Sequence, residues 1–244
     1  MIDFTIPEEA KAIRNKVRKY VQEECQPAEK TCTADNFEET LAGLREKARA
    51  QGLWCPFVPK EHGGMGLRPL ANALVQMELG ESFLGALSMN TQGPDDATML
   101  TLLEHGTDHQ KEAFLKPLLN GEKRICYSMT EKAAGADATG MQTTAVLEGD
   151  EWVLNGEKWF SSSASVADIA VVMAKTDPDA PRHEQYSTFI VELPNPGYQI
   201  VRNIETMQPH TELGLKLGGS HSEINIENLR VPRENILGGR GQGF

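Results

Sequence analysis

The chain has 244 residues, enough for one large or two smaller domains, and its 39% hydrophobic and 24% charged content is ordinary for a globular protein. Its net charge of -11 disfavours a role on nucleic acid or an anionic membrane, because the cations needed to neutralise phosphates at scale are missing. No apolar run approaches a membrane span, and the first residues resemble neither a secretory signal nor a transit peptide.

These features favour a cytoplasmic location if the protein is bacterial. A mitochondrial or peroxisomal location stays open if it is eukaryotic.

The first half of the chain carries helix signals. A capping box at Thr5-x-x-Glu8, with Pro7 in the first turn, predicts the start of a first helix. A second helix is predicted from Phe37 to Gln51, with Leu41, Leu44 and Ala48 as an inward-facing apolar stripe and Gly52 as its stop. Further helices are expected over Leu70 to Leu79, Phe83 to Thr91 and Ala97 to Glu104, and a second capping box, Thr107-x-x-Gln110, opens a helix that ends near Leu119.

The pattern changes at Lys123, after which β-branched and aromatic residues alternate with polar ones. Turn signals at Gly149-Asp150 and Asn155-Gly156 predict an antiparallel meander, with Asn-Gly as a type I′ hairpin turn that sets the register of Trp159. Strands are predicted over Thr143 to Leu147, Glu151 to Leu154, Glu157 to Ser162, Ile169 to Lys175, Thr188 to Glu192, Tyr198 to Val201 and Glu223 to Asn228.

The predicted fold class is therefore α+β, an all-helical N-terminal domain followed by a small antiparallel β-barrel or sheet domain. We place the helical domain at residues 1–123 and the β domain at 124–235.

Two segments of the β region carry the residue types of a flavin site. They are Tyr127-Ser-Met-Thr-Glu131, which runs on to Asp137, and Asn155-Gly-Glu-Lys-Trp-Phe-Ser-Ser162. A flavin that accepts hydride needs a flat apolar wall and hydrogen-bond donors aimed at its ring, and Trp159, Thr130 and Ser161 supply these groups. On local sequence alone, however, Thr130 reads as a buried strand residue and Trp159 as a core residue.

Both segments resemble signatures of the acyl-CoA dehydrogenase family, which read roughly aromatic-x-x-Thr-Glu-Pro-x-Ala-Gly-Ser-Asp and Asn-Gly-x-Lys-x-Trp-Ile-Thr. The resemblance continues in four further stretches in the family's order, and such an order is hard to obtain by chance. These stretches are Pro59–Gly66, His105–Glu112, Leu115–Glu122 and Leu229–Ile236.

The resemblance implies an FAD site and an acyl-CoA site. The implied FAD contacts are Tyr127, Met129, Thr130, the backbone amide of Ala136, Trp159, Phe160 and Ser161, and the implied substrate contacts are Ala136 and Thr91. Ser161 takes the place of the family's Thr, whose hydroxyl reaches the flavin N5 region. The chain departs from the pattern at Lys132, which replaces the Pro, and at Ala136, which replaces a Ser that hydrogen-bonds coenzyme A in relatives.

The implied activity is that of an oxidoreductase of fatty acid metabolism: FAD-dependent α,β-dehydrogenation of an acyl-CoA thioester. Electrons then pass to an electron-transfer flavoprotein, and the full-length enzyme is expected to be a homotetramer or homodimer. In the family the catalytic base is a Glu of a C-terminal helical domain. Residues 236–244 of this chain are expected to be only the start of that domain. No residue of this chain is therefore assigned as a catalytic base.

Three interpretations of this missing base remain. We favour a fragment of a complete enzyme. The others are one half of a split dehydrogenase and a non-catalytic flavin or acyl-CoA binding protein that needs a partner. An acyl-CoA oxidase or a flavin monooxygenase of the same fold is a further alternative.

The sequence predicts no metal site or disulfide framework. Cys25, Cys32, Cys55 and Cys126 are irregularly spaced. His105 and His109 have the spacing of a metal-binding pair, but they flank a predicted helix start and are expected to be solvated.

Overall fold

The structure, a computed structural model, describes residues 5–207 and 210–244 in two compact units that divide between Asp96 and Ala97. The first unit is helical, and the second contains helices and an eight-stranded sheet. The predicted fold class, a helical N-terminal region followed by a sheet domain, is confirmed. Within the described ranges, no helix is long and apolar enough to cross a membrane. The three predicted domain ranges stay predictions.

Helices form the regular secondary structure of the first unit. They are α1 (Glu8–Tyr20), continued by a π-helical turn (Val21–Cys25) and α2 (Gln26–Glu29), then α3 (Phe37–Ala50), α4 (Pro69–Leu79) and α5 (Gly85–Ser88). In α3, Leu41, Leu44 and Ala48 are buried as predicted. The capping box predicted at Thr5 is wrong, because α1 begins at Glu8 with Pro7 as its N-cap. Pro7 has an extended ψ of 145° and disfavours helical backbone at the residue before it.

The second unit opens with helices that lead to the sheet. They are α6 (Asp95–His105), whose first turn crosses the division, α7 (Asp108–Gln110), a π-helical turn (Lys111–Leu115) and α8 (Lys116–Leu119), and a later α9 (Glu212–Lys216). The capping box at Thr107 is confirmed, because Thr107 and Gln110 each accept the other's backbone N–H through their side chains. The Gln110 amide also donates to the carbonyls of Glu234 and Ile236 at 2.7 and 2.8 Å.

The sheet is mixed rather than wholly antiparallel. Its strands are β1 (Ile125–Ser128), β2 (Thr144–Glu148), β3 (Glu151–Ser162), β4 (Ile169–Lys175), β5 (Tyr186–Glu192), β6 (Tyr198–Asn203), β7 (His221–Pro232) and β8 (Ile236–Leu237). Their order is β6-β7-β3-β2-β4-β5-β8, and β1 pairs with β4. The β1–β4 pair is parallel, and so is the pairing of β2 with β4 at Thr144 and Lys175. Trp152 and Phe189 meet in the core, with ring centroids 5.3 Å apart.

The hairpin predicted at Asn155-Gly156 is wrong. Strand β3 runs without a turn through these residues, and β7 pairs with both halves of it, with a register shift between Leu154 and Gly156. A long-range contact holds this path, since Asn155 Oδ1 accepts the Asn228 N–H at 2.8 Å. The turn predicted at Gly149-Asp150 is confirmed, because these residues lie between the paired ends of β2 and β3. The Asn-Gly pair therefore forms a bulge, not a turn.

Gly156 leaves no room for a side chain. A Cβ at this position would lie 2.7 Å from the Cα of Thr143, and the backbone has a positive φ of 153°. We expect Gly156→Ala to lower the free energy of unfolding by about 1–3 kcal/mol, measured by urea denaturation. Gly135→Ala is the matched control in the same unit, because a Cβ there meets nothing within 4 Å. Equal stabilities of the two variants would contradict this reading of the bulge.

Candidate functional site

The two signature segments lie side by side in the second unit. Tyr127 lies in β1, and the chain leaves this strand through Met129 and Thr130. The Trp159 N–H of β3 donates to the Thr130 carbonyl at 2.7 Å. A backbone hydrogen bond therefore joins two of the residues that the sequence placed in one site.

A buried ion pair lies beneath this junction. Lys158 Nζ is 2.9 Å from Glu131 Oε1, and the two side chains are 0% and 3% exposed. Lys158 also donates to the Met129 carbonyl at 3.0 Å. The Glu131 carboxylate accepts the N–H groups of Gln142 at 2.6 Å and Thr143 at 3.0 Å. The pair thus fastens three segments of chain to one another.

The surroundings of the carboxylate favour its charged form. Burial raises the pKa of Glu131, but Lys158 and the donors from Gln142 and Thr143 outweigh burial, so the pKa lies below its ordinary value. Burial also lowers the pKa of Lys158, and Glu131 opposes that shift. The net shift at Glu131 favours its carboxylate form, whereas at Lys158 burial outweighs the opposing effect of Glu131.

Two cations flank the Trp159 ring. Lys132 Nζ lies 5.0 Å from the ring centroid and the Arg202 guanidinium 5.4 Å from it. Glu223 holds both cations, at 2.5 Å from Lys132 and 2.8 Å from Arg202. Cations over an indole face are favourable. Lys132, which replaces the family's Pro, therefore ties its loop to β7 and to the second signature.

Phe160 and Ser162 are accessible residues at the end of the second signature. Phe160 is 47% exposed and has a positive φ of 56°, at a register shift between β3 and β7. A bulge of this kind redirects a side chain. Its ring contacts those of Trp159 and His221 edge-on. The half-buried Ser162 lies beside it, with its hydroxyl 2.8 Å from His221 Nδ1.

Ser161 faces the interior. It is 1% exposed, and its hydroxyl lies 2.8 Å from that of Ser128, which in turn lies 2.7 Å from the Tyr198 hydroxyl. Counted from Asn155, the family signature places its Trp at Phe160 and its Thr at Ser162. By this spacing Ser162, which is half-buried, stands where the signature has its Thr. Flavin contact by Ser161 stays a prediction that this geometry does not favour.

The two predicted substrate residues belong to different units. Thr91, in the first unit, is buried and its hydroxyl accepts the Gln76 amide at 2.8 Å. Ala136, in the second, is exposed. The neighbouring Asp137 accepts the Thr139 N–H at 3.1 Å, which shapes the loop after Ala136.

A cavity of about 550 Å³ opens in the second unit. Thr98, Thr101 and His105 contribute one face of α6, since they are spaced by about one helical turn each. Of the predicted cofactor residues, Tyr127 lines this cavity. Burial raises the pKa of the Tyr127 hydroxyl, and a hydrogen bond with Thr188 opposes the shift. The volume lies in the range of small-molecule sites.

Across residues 5–207 and 210–244, no group of three or more His, Cys, Asp or Glu side chains is arranged to hold a metal ion. His105 and His109 are both exposed. The four cysteines are buried free thiols.

The charge state of Glu131 gives a prediction about acid stability. Because its folded pKa lies below the ordinary 4.5, the carboxylate stabilises the fold above that pH and loses this contribution as pH falls through the folded value. Lys158 is the charged group that faces it. We expect the free energy of unfolding of Glu131→Gln to fall less than that of wild type between about pH 5 and pH 3.

Chemical denaturation at each pH measures this difference. The control is Glu112→Gln, because Glu112 is 71% exposed. Parallel pH profiles for wild type and Glu131→Gln would show that the ion pair does not ionise as described.

Two family models match the chain in sequence order. The acyl-CoA dehydrogenase N-terminal domain matches residues 7–122, and the acyl-CoA dehydrogenase middle domain matches residues 126–228. Among curated proteins, the chain is similar to acyl-CoA dehydrogenase family member 11 of Gallus gallus, with 35% identity over 94% of this chain and 30% of that protein.

Solved structures agree. A Mycobacterium abscessus protein assigned to the acyl-CoA dehydrogenases has a TM-score of 0.87 and 32% identity, over 98% of this chain and 62% of that one. A structure described as the electron transferring flavoprotein of Acidaminococcus fermentans has a TM-score of 0.74 and 29% identity, over 100% of this chain and 61% of that one. The chain thus spans 30% of the length of the curated relative and about three fifths of these structures. With both family domains matched in order over almost its whole length, the protein belongs to the acyl-CoA dehydrogenase family.

Proposed function

We propose that this chain forms the FAD- and acyl-CoA-binding part of an acyl-CoA dehydrogenase that oxidises the α,β bond of an acyl-CoA thioester. The observation that carries the proposal is the direct hydrogen bond between the signature segments, from Trp159 N–H to the Thr130 carbonyl. Family membership supplies the reaction class. The electron-transfer flavoprotein as acceptor and a homotetrameric or homodimeric assembly belong to the same proposal. The cytoplasmic location expected for a bacterial protein stays a prediction from sequence.

The residues present fit a flavin. An isoalloxazine needs an apolar surface and hydrogen-bonding groups at its edge. Phe160 offers an exposed ring beside Trp159, and Ser162 and Thr130 offer hydroxyls that are not fully buried. Together with Tyr127, Met129 and the backbone at Ala136, these residues would hold the cofactor. When bound, FAD supplies the two-electron acceptor for the reaction.

The chain's own contribution is to bind and orient. The Lys158–Glu131 pair and the Glu223 contacts keep Thr130 and Trp159 in place. Lys132 is already paired with Glu223 at 2.5 Å and lies 3.7 Å from Glu157, so it contributes no free positive charge for a coenzyme A phosphate. We assign no catalytic base to residues of this chain, and proton abstraction is left to other parts of a complete enzyme.

Flavin titration followed by anaerobic addition of an acyl-CoA tests the proposal. We expect the purified protein to bind FAD, and octanoyl-CoA to bleach the oxidised-flavin absorbance in the natural polypeptide that contains this chain. Binding of both molecules without bleaching would favour the non-catalytic or split-subunit alternative. Bleaching followed by hydrogen peroxide release in air would favour the oxidase. Absence of FAD binding would contradict the proposal.

Variants of the adjacent Ser161 and Ser162 distinguish a residue that contacts the flavin from one that stabilises the fold. We expect Ser162→Ala to weaken FAD binding by about fivefold to tenfold, the size of one lost hydrogen bond. Ser161→Ala is the matched control. Because its hydroxyl belongs to the buried network with Ser128, its loss is expected to cost about 1 kcal/mol of stability and leave FAD affinity unchanged.

Isothermal titration with FAD and urea denaturation measure the two effects. The reverse result, with FAD affinity lost in Ser161→Ala and kept in Ser162→Ala, would restore the assignment of the family's Thr to position 161.

A further inference from the structure

Both carbonyls that bracket Thr130 are held by consecutive residues of β3. The Met129 carbonyl accepts Lys158 Nζ at 3.0 Å, and the Thr130 carbonyl accepts the Trp159 N–H at 2.7 Å. These bonds fix the peptide planes on either side of Thr130. The direction of its amide and side chain is therefore set by β3 rather than by its own loop.

The Lys158 ammonium can fix the Met129 carbonyl because other contacts fix the position of the ammonium. Its ammonium contacts Glu131 Oε1 at 2.9 Å and Met141 Sδ at 3.5 Å. Glu131 is fixed in turn by the N–H groups of Gln142 and Thr143. Every contact of this set is short and directional, and a shift of the ammonium would break several of them together.

Stability alone does not account for a buried ion pair in this place. Neutral side chains of similar size often replace such a pair at no cost in stability, because both charges must be desolvated. What neutral side chains do not reproduce is an ammonium with three donors, aimed at a carboxylate and at the Met129 carbonyl together. The distinctive effect of the pair is thus orientation of the Met129–Glu131 backbone.

We propose that Glu131 and Lys158 are positioning residues for the flavin, holding the Thr130 peptide and Trp159 in the orientation that the ring system meets. Neither side chain touches the cofactor, because both are enclosed within the protein. This inference rests on the proposed FAD site.

The variant that tests it is Glu131→Gln combined with Lys158→Met. It leaves no charge buried without a partner, and the Gln carbonyl still offers an acceptor to the amides of residues 142 and 143. The single variant Lys158→Met leaves the carboxylate uncompensated and serves to show the cost of breaking the pair. The control is Glu151→Gln with Arg230→Met, which removes an exposed ion pair of 3.1 Å that also involves β3.

Two readouts are compared in the whole protein: the hydrogen exchange rate of the Trp159 amide by NMR, and the dissociation constant for FAD. We expect the double variant to keep the thermal midpoint of the wild type. Its Trp159 amide should exchange about tenfold faster relative to the amides of Trp152 and Val153, and its FAD affinity should fall about tenfold. The control should change neither readout.

An unchanged Trp159 exchange rate or an unchanged FAD affinity in the folded double variant would overturn the positioning role. A double variant that loses its thermal transition would also overturn it, since the pair would then be needed for the fold. Failure of the wild type to bind FAD is a separate result that defeats the proposed function. The exchange rates would still decide whether the pair fixes the Thr130 junction.

Discussion

Lys158 and Glu131 carry two charges into a sheet domain where neither side chain reaches solvent. Removing each charge from water costs several kcal/mol, and their mutual attraction offsets this only with good geometry and further hydrogen bonds. The Met129 carbonyl and the amides of residues 142 and 143 supply those bonds. The site depends on this arrangement, because it holds the Met129–Glu131 segment, strand β3 at Lys158 and residues 142–143 together.

Outside the buried ion pair, exposed charged groups restrict the Trp159 side chain of the second signature. Glu223 draws Lys132 and Arg202 over the Trp159 ring, and each contact is worth little alone because it is open to solvent. Acting together they restrict the indole. The replacement of a Pro by Lys132 exchanges a covalent restriction of the loop for an electrostatic one. Contacts across strands thus restrict the loop at the position where the family pattern has a Pro.

Much of the fold follows from local patterns. The apolar stripe in α3 is buried as predicted, and Thr107 caps its helix as its spacing indicates. Strand β4 forms where a strand was predicted, although it is buried on both faces rather than on alternate residues. The errors come from long-range contacts. Asn155-Gly156 has the composition of a hairpin turn, but pairing with β7 and the Asn228 contact keep the strand extended. The Asn-Gly dipeptide alone does not indicate that it will pair with β7.

The site was predicted less completely than the fold. The motifs located Thr130 and Trp159, and the structure joins them directly. Which of Ser161 and Ser162 is accessible depends on the register shift at Phe160, which reverses the alternation expected of a regular strand. The ion pair between Lys158 and Glu131 could not be predicted either, because the two residues lie in separate motifs and only the fold brings them together.

The number of residues between Gly156 and Phe160 in strand β3 decides which side chains of the site face the interior. Lys158 points into the domain, while Phe160, after the bulge, points out. Because side chains alternate between faces, one residue added or removed between Gly156 and Lys158 would turn the ammonium toward solvent and an aromatic ring toward Glu131. The number of residues in this stretch is therefore as constrained as the identities of Gly156 and Lys158. Insertions and deletions in related chains should therefore fall in the loops beyond β3 and leave the interval from Asn155 to Ser162 intact.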